Sequence, residues 1–432
     1  MKNRSLRRTT AVGAVVAAMS LTAACSGGEG APGASAPSGN GEVAKDIQGT
    51  VRVLMEGVPD TDIVQGMLAG FNDEYPGVTV EIETAVYDQM RDKYVASFTA
   101  PEASYDLAIL DNPWVGDFAK AGFVKPLDSY IDSTPDYDYE DIAAPLRKIN
   151  EVDGHIYGVP FYNYGLGLIY RSDLIDNPPA TLDELVTVAQ ESATDGRAGI
   201  AMQPQRGYKA FEEWANYLFA AGGSIYDDGG EITLDTPEAK QALETYIDLY
   251  KSAAPDNSLN WAFDEALRSV SSDKAAMMVS YNWMLPTLNA EDGPAGELAG
   301  DFALATMPGG KQVLGSWNWA IPANSETDDA DWAFISWLTS LDGEKLRVMA
   351  GGAPIRQSVL ADPEVAEKGF GADYYKTVGE ILGNSAPLCQ GANCDEMIQA
   401  VGTELNAAVA GQKSVDDALA DAEAQAKRIQ SS

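Results

Sequence analysis

Residues 105–131, YDLAILDNPWVGDFAKAGFVKPLDSYI, and residues 153–175, DGHIYGVPFYNYGLGLIYRSDLI, decide the fold reading of this chain of 432 residues. Each stretch holds an apolar run of strand length that breaks into a polar-aromatic turn. Runs of this kind suit strands buried on both faces. In α/β proteins, ligands sit just past the carboxyl ends of such strands. Upstream, TVRVLM (50–55) reads as a first strand. A helix follows with Ile63, Val64, Met67, Leu68 and Phe71 on one face and Pro76-Gly77 as its stop. VTVEIET (78–84) is the second strand, YDLAIL (105–110) the third, and a helix is expected around Val115–Ala121. Alternating strand and helix patterns favour an α/β fold with parallel sheets and helices packed on them.

Later helices carry start signals. Thr181-Leu-Asp-Glu184 is a capping box behind Pro178-Pro179. Thr236-Pro237-Glu238 puts Pro at the first helical position, and Ser414-Val-Asp-Asp417 opens an Ala-rich last helix that ends near Arg428. Trp332 and Trp337 share a helix with Ile335 and Leu338 and read as packing residues.

The amino end reads as a targeting segment. Lys2, Arg4, Arg7 and Arg8 form a positive region and Ala11–Leu21 an apolar run too short to span a bilayer, so residues 1–24 are expected to be a signal peptide. Thr22-Ala23-Ala24-Cys25 looks like a bacterial lipobox with Cys25 as the lipidated residue, although Thr22 stands where Leu is usual. The alternative is plain secretion. Residues 25–48 are then the lipidated Cys and a Gly/Ser/Ala/Pro tether that cannot form a core. Several acyl chains on one Cys would anchor the protein stably.

The net charge is −36, and losing the four basic residues of 1–24 would take it to about −40. Such a surface argues against nucleic acid and anionic membranes as partners and does not identify a ligand. Beyond Cys25, only Cys389 and Cys394 remain, in LCQGANC, and outside the membrane they are expected to form a small disulfide loop. A ring so short stabilises by about 2 kcal/mol in the loop-entropy picture. A metal site is disfavoured because His155 is the one His and no second Cys pair exists, so no metal or other cofactor is expected.

Catalysis has few footholds. A Ser–His nucleophile would have to use His155, which sits in a DGHIYGVP turn and reads as a structural turn residue. Neither GxGxxG nor GxxxxGK[ST] occurs. A glycosidase needs only two carboxylates, and with 65 acidic residues such a pair stays open as the best enzyme alternative.

Order and spacing of several weak motifs resemble the extracellular solute-binding proteins of ABC importers, family 1, the sugar-binding, maltose-binding-protein-like group of lipoproteins. EYPGVTVEIE (74–83), PPATLDEL (178–185), KAAMMVSYNWMLPTL (274–288), MPGG (307–310), the run 313–340 beginning VLGSWNWAIPAN, and GGAPIRQSVL (351–360) carry it. The resemblance implies a two-lobed periplasmic-binding-protein-like α/β fold with a hinge and an interlobe ligand cleft. The crossings are expected near Phe161–Tyr164 and Gly315–Trp319, with lobe 1 at 49–162 and 317–365 and lobe 2 at 163–316 and 366–432. It further implies a non-enzymatic, monomeric receptor on the outer face of the bacterial cytoplasmic membrane. That receptor would capture a carbohydrate by hinge closure and deliver it to ABC permease transmembrane subunits served by a cytoplasmic ATPase. A polyol, a glycerophosphodiester or a peptide would fit the same scaffold.

Sugar hydroxyls call for carboxylates, amides and Arg, and sugar C–H faces call for Trp or Tyr. Residues of these types stand at one strand exit after another. Glu56 follows the first strand, where a solvated loop acid is the alternative, and Tyr87 follows the second. Asp111, Asn112 and Trp114 follow the third, with Asp111 equally able to cap the next helix. Of Phe161, Tyr162, Asn163 and Tyr164 at the first crossing, alternation sends two toward the cleft. Arg206 and Tyr208 lie in a loop before a helix with Trp214, and Asn282 and Trp283 end the AMMVSY strand. Trp317 and Trp319 leave one side of the return crossing and Asn318 the other, and Trp317 aligns with the family's stacking aromatic. Arg356 follows Ala353-Pro354, where the family places an Arg near the ligand and a lobe-holding salt bridge is the alternative.

Overall fold

The computed structural model describes residues 44–194, 196–227 and 229–431; the expected signal peptide, Cys25 and most of the tether lie outside the described residues. Strands β1 (Gly49–Glu56), β2 (Val78–Ala85) and β3 (Leu107–Asp111) follow the expected βαβ order. β4 (Glu151–Val152) and β5 (His155–Ile156) form a small hairpin. β6 (Val159–Arg171), β7 (Ala198–Ala201), β8 (Ala275–Tyr281), β9 (Phe302–Ala305), β10 (Gln312–Ala320) and β11 (Ser385–Ala386) complete the set. Nine of these strands join one sheet in the order β2-β1-β3-β10-β6-β8-β7, with β11 beside β10 and β9 beside β6. β1 pairs parallel with β2 and β3, whereas β10 runs antiparallel to both β3 and β6.

β6 and β10 are the two long crossings. All thirteen residues of β6 are buried, which suits a sequence that is apolar or aromatic apart from Asn163 and the terminal Arg171. The strands pair from Leu314 opposite Gly165 to Trp319 opposite Val159. The register slips between Trp317, opposite Tyr162, and Asn318, opposite Pro160. Pro160 has no N–H to give the ladder, so an irregularity at this point is the expected consequence.

The two ends of these strands enter different cores. Val159, Phe161, Trp319 and Ala320 pack with β1, β3 and the helix Asp328–Thr339. Leu166, Leu168 and Tyr170 pack with the helices Tyr208–Ala220, Pro237–Ser252 and Cys394–Val409, while Ile169 joins a third cluster with Met278 and Ile381. The result is two α/β lobes sharing one sheet. Residues 341–360 tie them again, since Ala353 and Ile355 belong to the first core and Val348 and Val359 to the third cluster.

The start signals act as expected. Thr181 Oγ1 accepts from Glu184 N at 3.2 Å, although the Glu184 carboxylate bonds Ala180 N rather than closing the box on Thr181. Thr236 and Ser414 accept from Ala239 N and Asp417 N, both at 3.1 Å. Cys389 and Cys394 are bridged. His155 lies exposed in the small hairpin with Nδ1 3.5 Å from an Asp128 oxygen.

Arg356 serves the first lobe's interior. Its guanidinium donates to the carbonyls of Thr339 (2.7 and 2.9 Å), Asp138 (2.8 Å) and Tyr137 (2.8 Å), and lies 3.6 Å from Glu344. It is 1 % exposed, so its donors are engaged inside the lobe, as the lobe-holding alternative for this residue expects. Arg356→Met should leave three carbonyls and the buried Glu344 under-partnered and cost about 3–5 kcal/mol. Urea unfolding should show a lower midpoint at an unchanged slope; an unchanged midpoint would refute the structural role.

Candidate functional site

Strand ends place the first wall. Glu56 ends β1 and Asp111 ends β3, so both leave the sheet at its carboxyl edge. Asp111 caps the helix Asn112–Lys120, its Oδ1 accepting from Asn112 N at 2.8 Å, and Oδ2 accepts from the Tyr87 hydroxyl at 2.8 Å. Trp114, in the first turn of that helix, stacks on Tyr87 with centroids 5.2 Å apart. Trp317 pairs with Asp111 across the ladder and stands edge-on to Trp114 (5.7 Å) and Tyr87 (5.9 Å).

The other lobe faces this wall with the start of the helix Tyr208–Ala220 and the end of β8. Gly207 precedes the helix at φ 92°, a left-handed turn, and a Cβ there would meet the Gln399 side chain at 2.1 Å. The turn brings Tyr208 to 6.2 Å from Tyr87, ring to ring across the lobes. Lys209 Nζ donates to Glu212 Oε2 and to the Tyr281 hydroxyl, both at 2.6 Å. The Tyr281 and Trp283 rings are nearly parallel at 6.1 Å, and Tyr164 meets both at 5.5 and 5.6 Å. Tyr162 stacks on Tyr164 at 5.1 Å.

Burial dominates the electrostatics. It lifts the Glu56 carboxyl to about 7 against the pull of Lys209. It lifts Asp111 to about 7 despite the hydrogen bonds from Tyr87 and Asn112, with Glu212 and Glu56 adding repulsion. Deeper in, Asp60 is lifted to about 6, again chiefly by burial, while Arg347 and the Tyr164 hydroxyl oppose the shift. Burial works against the Lys209 ammonium, but Glu212 and Tyr281 outweigh it and hold its pKa above the ordinary value. The site therefore combines aromatic faces, carboxyls that burial raises toward neutrality, and one ammonium. That set can grip a polyhydroxylated molecule by stacking and by hydrogen bonds in both directions. The Trp114 and Trp283 indole N–H groups add two shielded donors without a protein partner.

Of the residues singled out from sequence, the structure gathers Glu56, Tyr87, Asp111, Trp114, Tyr162, Tyr164, Trp283 and Trp317. Trp319 has other partners, Phe161 at 4.9 Å and Phe334 at 5.9 Å, inside the first core. The asparagines bond the frame. Asn112 donates to Leu314 O (3.3 Å), and Asn163 donates to Pro354 O (2.7 Å) while accepting from Asn282 (2.7 Å). Asn150 donates to Asn318 Oδ1 at 2.6 Å. Arg206 is exposed. Sequence reading missed Asp60, Lys209, Glu212 and Tyr281. The Lys209–Glu212 spacing, directly after the aromatic loop, was the available signal for two of them.

Residues 57–345 match the family model described as bacterial extracellular solute-binding protein. The chain belongs to this family. A maltotriose-binding protein of Pyrococcus abyssi is 28 % identical over 316 residues, 68 % of this chain and 64 % of that one. An ABC transporter solute-binding protein of Agrobacterium radiobacter, solved in complex with ribitol, is 25 % identical with a TM-score of 0.79, covering 89 % of this chain and 100 % of that one. T. maritima MalE3, solved with maltose bound, is 27 % identical with a TM-score of 0.79, covering 88 % and 99 %. As a solute-binding protein the chain falls in a family of binding proteins rather than enzymes, with the two-lobed fold and interlobe cleft that such proteins share.

The raised carboxyls of this solute-binding protein give a signed pH prediction. Their folded pKa values lie above the ordinary value near 4, so their contribution to stability is fully present below about pH 4 and is lost as pH rises through about 7. Asp111→Asn should flatten part of the fall in melting temperature between pH 4 and 8. Parallel curves for variant and parent would show that Asp111 does not titrate in this window.

Proposed function

We propose that this protein is the capture receptor of an ABC importer for a neutral carbohydrate or polyol. The observation that carries the reading is the facing of Tyr87, Trp114 and Trp317 on one lobe by Tyr208, Tyr281 and Trp283 on the other, with Glu56, Asp111, Glu212 and Lys209 among them. The maltotriose-, maltose- and ribitol-binding relatives support the ligand class. The mechanism is hinge closure. A ligand that touches both walls binds the closed form better than the open one and shifts the population toward it. The closed form then docks on the permease subunits, which a cytoplasmic ATPase drives.

In this reading the lobes are 49–162 with 317–365 and 163–316 with 366–432, joined through β6 and β10. Glu56, Tyr87, Asp111, Trp114, Tyr162, Tyr164, Trp283 and Trp317 contact the ligand, and Asn112, Asn163, Asn282 and Asn318 hold the hinge that positions them. Residues 1–24 are removed and Cys25 carries the lipid that holds a monomer at the outer face of the cytoplasmic membrane. Support for the anchor comes from sequence alone.

Thermal-shift screening of residues 43–432 against sugars, polyols, glycerophosphodiesters and peptides tests the ligand class, with product analysis of every hit. A sugar or polyol that stabilises the protein and is recovered intact is the expected result. Cleavage of the sugar would make the protein a glycosidase, and stabilisation by peptides alone would discard the carbohydrate. For the hit, Trp317→Ala and Trp283→Ala should each weaken binding by at least about threefold, the scale of one aromatic contact. Unchanged affinity in both would remove them from the site.

A further inference from the structure

The disulfide loop of the second lobe crosses to the first. Leu388, Cys389, Cys394 and Met397 pack in the second core, and Asn393 Nδ2 donates to Ile429 O at 3.1 Å in the last helix, Val415–Gln430. From this base the backbone N–H of Asn393 reaches Asp117 Oδ1, on the helix Asn112–Lys120 of the first lobe, at 2.7 Å. The other Asp117 oxygen takes Arg91 Nη2 at 3.2 Å. The fit between the lobes here is close. A Cβ on Gly116 would stand 2.2 Å from Gly391 O and 2.8 Å from Gly391 C, both backbone atoms of the loop. Gly391 (φ 102°) and Asn393 (φ 59°) hold left-handed conformations between the two bridged cysteines, which turns the Asn393 amide outward from its own lobe.

We propose that the Cys389–Cys394 loop is a clasp that sets the closing equilibrium of the lobes, and through it the affinity for solute, without itself touching solute. Gly116, Asp117, Gly391 and Asn393 are its positioning residues. The physical argument is differential contact. Both the Asn393–Asp117 bond and the Gly116–Gly391 approach join residues anchored in opposite lobes, so they exist when the lobes are together and are lost when they part. Any such contact favours the closed state by its own free energy. A protein whose competent state is more populated binds more tightly in proportion to that population. The bridge keeps the loop in the shape the clasp needs, so its oxidation state is coupled to closure. The inference rests on the hinge-closure reading, but its test does not need a correct guess of the solute.

Gly116→Ala is the deciding variant. Alanine suits a helix better than glycine, by up to about 1 kcal/mol, so lobe 1 should keep its fold while the new methyl wedges the lobes apart at the clasp. Asp117→Ala removes the acceptor and serves as the second variant, with melting curves of the ligand-free proteins as the check on folding. In small-angle X-ray scattering without any solute, the folded variants should show a larger radius of gyration than the parent. Titration with mannitol, ribitol and maltose should show about tenfold weaker binding of whichever of these the parent binds, with faster release and an unchanged order of preference. Reducing the bridge in the parent should move both readouts in the same direction. Equal radii for parent and both variants would overturn the clasp. If none of the three solutes binds the parent, they are not its cargo and the broad screen decides the solute class, while the scattering comparison still decides the clasp.

Discussion

The antiparallel pairing of β6 with β10 is the constraint on which the rest depends. One strand brings the chain out of the first core and the other brings it back, and their mutual ladder makes two lobes share one sheet. The pairing also puts Trp317 beside Tyr162 and Gly315 beside Tyr164, and the ladder on the other side of β10 puts Trp317 beside Asp111 of β3, so β10 aligns residues of three strands at the mouth between the cores. Pro160 interrupts that ladder at one place only. Beyond the slip, Trp319 and Phe161 pack into the first core.

Bringing the lobes together has an electrostatic consequence that decides the character of the site. Glu56, Asp111 and Asp60 sit where water is largely excluded, and burial is the largest influence on each of them. Lys209 and Arg347 pull the other way and do not win. Burial thus raises all three carboxyls toward neutrality, Glu56 and Asp111 to about 7 and Asp60 to about 6. Groups in that condition can both accept and donate, which suits hydroxyls better than it suits a fixed charge.

The polar residues of the crossings divide into two kinds that sequence cannot separate. Asn163 and Asp111 are both short, polar and next to aromatics at a strand exit. Asn163 is wholly enclosed and bonds Pro354 and Asn282, while Asp111 caps a helix and meets Tyr87 at the wall. The difference lies in what the neighbouring strand and the 341–360 segment bring opposite each residue. Arg356 makes the same point, since Thr339, Asp138 and Tyr137 surround it from segments far apart in the chain.

Much of the fold was legible because it follows from local rules. Apolar runs of strand length, Thr and Ser at helix starts, and Pro-Gly stops are properties of adjacent residues, and β1, β2, β3 and the capped helices appear within a few residues of where those rules put them. Most aromatic members of the candidate site were legible from their place at strand exits, although Tyr281 at the end of β8 was passed over and Trp319 at the return crossing fills the first core instead. What tertiary structure alone decided is pairing across distance. Sequence contains Lys209, Glu212 and Tyr281 as ordinary helix and strand residues, and only the docking of one helix against the end of β8 joins them. It contains a bridged loop and a Gly-Asp pair in a helix, and only the approach of one lobe to the other sets Asn393 against Asp117. Local conformational preference is encoded residue by residue, whereas a contact between lobes depends on the summed geometry of every strand and turn between them.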